Sequence, residues 1–273
     1  MDSDKFIDIE KLIASKNPKV LKWMPRFVLR YLKRIIHQDE VNKFIEANKD
    51  LEGTEWCEAV REFMNITVSI INKENIPSNG KVVLAMNHPL GGMDAIMLVA
   101  ALKGHREDFK FIVNDLLMNI ESMRNMFVGV NKIGRNNSLL RHKMTDLFSS
   151  ENAVSIFPAG LVSRKINKEI KDLDWKKTFV TYSKQYGRTI IPIFIEGKLS
   201  NFFYRLARLR KFLGIKLNIE MLYLSNELFK QRNSQMRFVV GEPLNPDSFN
   251  KSTSDIKTAQ EIKEMVYELR NQL

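Results

Sequence analysis

From residue 80 onward, short apolar runs alternate with helical patterns, an order that few architectures tolerate. The runs are Lys81 to Met86, Phe109 to Val113, Met126 to Val130, Ala153 to Phe157 and Thr189 to Ile195, with helical patterns near 93–103, 115–125, 136–149 and 172–186. Apolar runs of about four to eight residues read as buried strands, and strands separated by helices pair in parallel because the crossover returns the chain to the same end. The pattern predicts an α/β fold, a mixed, largely parallel sheet flanked by helices. A helical N-terminal region over 1–66, with a candidate membrane-facing surface, is expected to precede an α/β domain over 67–273 that opens on a strand at Thr67 to Ile71. Strands near 218–223 and 236–240, a turn at Gly241-Glu242-Pro243 and a helix from about 255 to 271 complete that domain.

Within the N-terminal region, residues 18 to 37 contain no acid. Lys19, Lys22, Arg26, Arg30 and Lys33 recur at three- and four-residue steps and line one face of a helix, with Leu21, Met24, Phe27, Val28, Leu32 and Ile35 over the remainder. Pro25 divides the segment into two short helices. Such a surface suits anionic headgroups, and it equally suits a solvated face on a docked helix. Helices near 39–50 and 54–65 follow. A second basic, aromatic-rich stretch runs from Asn201 to Leu213 and offers the same two readings.

The net charge of +11 calls for a polyanionic partner, an acidic membrane surface or nucleic acid. The basic stretches carry aliphatic bulk rather than a base-stacking or groove-reading motif, which argues against nucleic acid. No run of about eighteen apolar residues is present, so membrane contact is expected to be peripheral, and the acidic N-terminus does not resemble a signal peptide. Cys57 is the single cysteine, which excludes an intrachain disulfide and suits a reducing, cytoplasmic setting.

Chemistry concentrates where the run Val82 to Met86 empties into Asn87-His88-Pro89-Leu90-Gly91-Gly92-Met93-Asp94. Asp94 falls at the start of an apolar helix, whose dipole favours its charge. His88 beside it would then have one nitrogen fixed by the carboxylate and the other facing a substrate, as general-base catalysis requires. The plainer alternative makes His88 a loop histidine and Asp94 a helix cap. A metal site here lacks further His or Cys ligands at suitable spacing. Asn87, Gly91 and Gly92 are expected to support the loop.

Two later loops pair glycine with cations: Asn131-Lys132-Ile133-Gly134-Arg135, and Phe157-Pro158-Ala159-Gly160 continuing to Ser163-Arg164-Lys165. Each can bring backbone amides and a cation to an anionic group. Arg135, Gly160, Ser163, Arg164 and Lys165 are therefore the candidate anion-binding residues, with Pro158 supporting its loop. Ile191-Pro192-Ile193 puts a proline into an apolar strand, which requires a bulge or an edge.

In this order, the His88–Asp94 loop, Gly129 to Arg135, Phe157 to Arg164 and Ile191-Pro192-Ile193 resemble the four blocks of the glycerophosphate and lysophospholipid acyltransferase superfamily. Five residues separate His88 from Asp94 where that pattern has four, and Ala159 stands where it carries glutamate. The Pro-Leu-Gly-Gly-Met-Asp and Phe-Pro-Ala-Gly loops look most like a hemolysin-like bacterial subgroup, some members of which resemble O-acyltransferases of amino-acid lipids. The resemblance implies transfer of a fatty acyl group from an acyl carrier protein or coenzyme A thioester to a lipid hydroxyl, with no cofactor. His88 would be the base and Asp94 its orienting partner. A lyso-amino-acid lipid is the favoured acceptor and a 1-acylglycerol-3-phosphate the alternative, and the implied location is the inner face of the cell membrane. A non-catalytic, lytic membrane protein is the rival from another class.

Overall fold

The computed structural model describes residues 6–113, 118, 120–130, 137–215, 218–250 and 252–273. Two compact units divide the chain: residues 1–51 with 199–232, and residues 52–198 with 233–273. The sequence reading placed a single division between residues 66 and 67. The chain leaves the second unit after Lys198 and re-enters it at Asn233, so the basic stretch beginning at Asn201 groups with the N-terminal helices.

The second unit opens on α5 (Gly53–Phe63) and contains the strands β1 (Thr67–Ile71), β2 (Val82–Met86), β3 (Phe109–Val113), β4 (Phe127–Gly129), β5 (Ala153–Ile156), β8 (Thr189–Ile195) and β9 (Gln235–Val240). Among the described residues these seven form one sheet in the order β1-β9-β8-β2-β5-β3-β4. Neighbours pair in parallel except β8 with β9, giving the mixed, largely parallel sheet read from the alternation. β8, β2, β5, β3 and β4 therefore share one direction and deliver their following loops to one edge. A short antiparallel hairpin, β6 (Arg164–Ile166) and β7 (Glu169–Lys171), stands apart from this sheet.

Side-chain alternation along the strands builds two apolar layers. Val83, Ala85, Val154, Ile156, Ile190 and Phe194 pack against α7 (Asn137–Ser149), α8 (Thr178–Tyr186) and α11 (Asp255–Glu268) through Phe148, Phe179 and Ile262. On the other face lie α5 and α6 (Gly92–Ala101), which pack together, α6 also touching β1. α6 is apolar nearly all round because it is buried nearly all round. Cys57 on α5 is fully buried, which pushes its thiol up to about 12 and leaves it unreactive.

Pro192 pairs with Ala85 in the interior of the sheet. Its carbonyl accepts from Gly241 at 2.8 Å, so its nitrogen faces the same neighbour, beyond the end of β9. There Ile193 pairs with Val240 and Ile190 with Leu244, three steps along β8 against four along the partner. The extra residue is a bulge, and the missing N–H falls where the ladder is already interrupted.

Three expectations change. Residues 218–223 are not a strand: Ile219–Tyr223 is a 3-10 turn leading into α10 (Leu224–Phe229), because Glu220 turns inward to Arg210 at 2.9 Å rather than alternating outward. The helix expected over 115–125 is a 3-10 turn over Glu121–Met126, and most of its earlier part lies outside the described residues. The helix expected from 172 begins at Thr178, since Asp172 and Trp175 are engaged in side-chain bonds described below.

The first unit contains α1 (Ile9–Lys16), α2 (Pro18–Trp23), α3 (Arg26–Ile35), α4 (Gln38–Ala47), α9 (Asn201–Phe212) and α10. Its two chain segments are joined by a Tyr31–Tyr223 hydroxyl pair at 2.9 Å, by His37 stacked on Phe229, and by Arg232 on Glu40 at 2.6 Å. Pro25 separates α2 from α3 as its sequence predicts.

Candidate active site

β2 ends at Met86, and the next residue fastens the loop. Asn87 donates from Nδ2 to the Ile195 carbonyl at 2.9 Å and accepts the Ile195 N–H at Oδ1 at 2.7 Å, so its amide extends the β2–β8 pairing past the strand end. Leu90 then packs against Gly197, where an added Cβ would lie 2.8 Å from Leu90 Cγ. Gly91 caps α6 at φ 71° and ψ −139°, a conformation open essentially to glycine alone.

This backbone path brings the two key side chains together despite the longer loop. His88 Nδ1 lies 2.9 Å from Asp94 Oδ2, with Asp94 fully buried and His88 17% exposed. The carboxylate also accepts the Leu90 N–H, at 3.0 Å to Oδ2, closing the loop on itself. Burial pushes Asp94 above the usual carboxylate range, while the His88 hydrogen bond and charge and the Leu90 N–H pull it back. With Nδ1–H held by the carboxylate, Nε2 is the proton-accepting nitrogen. Phe157, directly after β5, stacks on the imidazole at 3.9 Å between centroids and 22° between planes, which holds the ring against rotation.

The 157–165 segment meets the same loop. Ser163 N–H donates to the His88 carbonyl at 2.8 Å, while the buried Pro158 accepts the Lys176 N–H at 3.2 Å. Gly160 is exposed at φ 67° and its N–H is engaged by the Phe157 carbonyl at 2.9 Å, so it closes a turn. Arg164 and Lys165 begin the β6–β7 hairpin, half-buried and exposed respectively, with one Arg164 Nη at 3.3 Å from the Val162 carbonyl. Arg135 and its loop lie outside the described residues. His88, Asp94 and Ser163 are thus brought into one bonded group, with Asn87 beside it tied to Ile195, whereas Gly160, Arg164 and Lys165 stand on its flank without a hydrogen bond to His88.

Two residues escaped the sequence reading. Asp172 accepts the His88 N–H at 3.2 Å, the Ser163 hydroxyl at 2.6 Å and the Trp175 indole N–H at 2.9 Å. Tyr267 on α11 accepts the Asp172 N–H at 2.7 Å. Asp172 lies in the charged run Glu169-Ile-Lys-Asp-Leu-Asp, which reads as surface, and only the aromatic at Trp175 hints at burial.

An imidazole paired with a buried carboxylate, on a loop at the carboxyl end of parallel strands, is an arrangement able to take a proton from a bound group. The model of the acyltransferase family matches residues 11–273, and the chain belongs to that family: it is an acyltransferase. It is 43% identical over 269 residues to a lyso-glycine lipid O-acyltransferase of Phocaeicola vulgatus, covering 98% of this chain and 96% of that protein. A protein of the same description from Bacteroides thetaiotaomicron is 41% identical over 269 residues, 98% and 99% of the two chains. Among solved structures, a 1-acyl-sn-glycerophosphate acyltransferase from Thermotoga maritima superimposes with a TM-score of 0.49 at 20% identity, covering 96% of this chain and 93% of that one.

Proposed function

We propose that the protein transfers a fatty acyl group from an acyl thioester to the hydroxyl of a lyso-amino-acid lipid, of the glycine-lipid class. The observation that carries the mechanism is the 2.9 Å contact between His88 Nδ1 and Asp94 Oδ2, which leaves Nε2 to act as base. The acceptor class rests on the two relatives of more than 40% identity over nearly the whole chain.

In this mechanism the acceptor hydroxyl loses its proton to His88 Nε2 as its oxygen attacks the thioester carbonyl carbon. The C–O bond forms, the C–S bond breaks, and the imidazolium returns the proton to the departing thiolate. Asp94 holds the ring and stabilises its positive charge during the transfer. A thioester is already activated, so a positioned base worth about 10²- to 10⁴-fold suffices without an acyl-enzyme. Arg164 and Lys165, together with Arg135, supply positive charge for anionic parts of acceptor or donor.

The test is direct acylation of purified lyso-glycine lipid, with acyl carrier protein and coenzyme A thioesters as separate donors and 1-acylglycerol-3-phosphate as the competing acceptor. Transfer to the glycine lipid with at least one donor is expected. Transfer to 1-acylglycerol-3-phosphate alone would replace this acceptor with that one.

A lipid acceptor also calls for a membrane-facing surface, and the first unit offers one. Among the described residues no helix is long and apolar enough to cross a membrane. Trp23 at the end of α2 is 84% and Phe27 on α3 67% exposed, Tyr31 lies one turn beyond Phe27, and Lys19, Lys22, Arg26 and Arg30 are exposed around them. Lys33 is not part of this surface, because it pairs with Glu10, which raises its proton affinity. On α9, Phe212 is 85% exposed, with Arg208 and Lys211 exposed beside it. We assign α2, α3 and α9 to peripheral membrane contact. Changing Lys22, Arg26 and Arg30 together to glutamate is expected to weaken flotation with anionic liposomes by tenfold or more, since each basic residue near such a surface contributes about 1 kcal/mol. Flotation equal to that of the unmodified protein would remove α2 and α3 from the membrane contact.

A further inference from the structure

The β6–β7 hairpin has two feet, Ser163 just before it and Asp172 just after it, and both grip the same residue. Ser163 N–H donates to the His88 carbonyl at 2.8 Å, and Asp172 Oδ1 accepts the His88 N–H at 3.2 Å. The feet are stapled to each other by the Ser163 hydroxyl on Asp172 Oδ1 at 2.6 Å, while Oδ2 takes the Trp175 indole. Both backbone polar groups of His88 are therefore committed to the hairpin base. The donors are all protein groups and the carboxylate is 1% exposed, so its orientation is fixed from several sides.

We propose that Asp172 is a positioning residue for the His88–Asp94 pair: it holds the His88 peptide to the hairpin that carries Arg164 and Lys165, and sets a second buried negative charge beside the pair. The inference rests on the reading of His88 as the base. Hydrogen bonds of this kind fix a catalytic side chain through its own backbone, where a small displacement costs much rate. The charge has a second effect. A negative group close to the pair favours its protonated form, and Asp172 acts on Asp94 in that sense. The groups facing Asp172 are His88 and Ser163 from the loops, Trp175, and Tyr267 from α11. Lys171 lies next to it in the chain, with Glu169 and Glu264 within 4 Å of its amine.

Two substitutions should move the pair in opposite directions. Asp172→Asn removes the charge, and the titration midpoint of the pair, followed by NMR of the ring protons of His88, is expected to fall. Ser163→Ala removes one donor and leaves the carboxylate with more of its charge, so the midpoint is expected to rise. In the acyl-transfer assay both should lower kcat with KM for the thioester nearly unchanged, by about tenfold for Asp172→Asn. If Asp172→Asn does not fold, the smaller Ser163→Ala change decides alone. Midpoints equal to the wild-type value in the folded variants overturn the proposal. Because the titration needs no turnover, it stands apart from the reading on which it rests, which fails instead if His88→Ala retains full activity.

Discussion

Replacing His88 with alanine is expected to lower kcat by about 10²- to 10⁴-fold while thermal stability changes little, because the imidazole is partly exposed and its principal partner is the Asp94 carboxylate. Asp94→Asn is the sharper companion. The amide oxygen can still accept the Leu90 N–H at the position where Asp94 does so at 3.0 Å, so the loop keeps its path, but the charge that steadies the imidazolium is gone. Activity should fall by a comparable factor. Stability should move the other way. A carboxylate whose folded proton affinity is raised by burial favours folding only in its protonated form, and that contribution is lost as pH rises through the folded value. Above the unfolded carboxylate range the burial of Asp94 is thus a cost, and Asp94→Asn should melt at the wild-type temperature or above it. Steady-state kinetics with a thermal scan at pH 7 checks both. Full activity in either variant would remove the pair from the chemistry.

Arg188→Ala is expected to unfold the protein or bring it close to unfolding. Arg188 is fully buried, and its five N–H donors all go to main-chain carbonyls. Nε bonds Phe148 at 2.7 Å, one Nη bonds Val82 at 3.0 Å and Asn152 at 2.7 Å, and the other bonds Leu147 at 3.1 Å and also Ser150. Leu147 and Phe148 are in the last turn of α7, Asn152 precedes β5 and Val82 opens β2, so one side chain ties three elements at the amino ends of the strands. The orphaned carbonyls of the α7 terminus carry partial negative charge and compensate the guanidinium without a carboxylate contact. Burial draws the guanidinium down to about 10, and it remains charged at neutral pH. Truncation leaves several buried acceptors unmatched at about 1 to 3 kcal/mol each, against a total stability of roughly 5 to 15 kcal/mol. Arg188→Lys should lose less, as an ammonium supplies three donors without the planar fork. Urea denaturation measures both, and an Arg188→Ala midpoint within experimental error of wild type would show that water replaces the side chain there.

The contrast between these residues shows which physics a sequence displays. His88 and Asp94 are six positions apart on one strand–loop–helix unit, so local patterning reveals them. The largely parallel character of the sheet follows similarly from the alternation of apolar runs and helical patterns, and Pro192 announces a bulge or an edge, though neither the strand order nor the choice of the bulge can be read locally. Asp172 lies 84 residues from the peptide it holds, in a stretch whose charges look solvated. Arg188 follows Gly187 in what reads as an ordinary helix-ending turn, and nothing local says that its head is enclosed. The misread segment at 218–223 has the same origin: Glu220 is buried by an ion pair with Arg210, which period-two hydrophobicity does not register.

The interleaving of the two units bears on how the chain is made. Helices α1 to α4 are completed by residue 47, but Tyr31, His37 and Glu40 find their partners on residues 223, 229 and 232. The sheet closes late as well, since β1 pairs in register with β9, Thr67 against Gln235. During synthesis at about 5 to 20 residues per second, the first helices therefore wait on the order of 10 to 30 seconds for these partners. The first unit is therefore completed only after most of the sheet's strands have been made, and its helices depend on residues near the far end of the chain to settle.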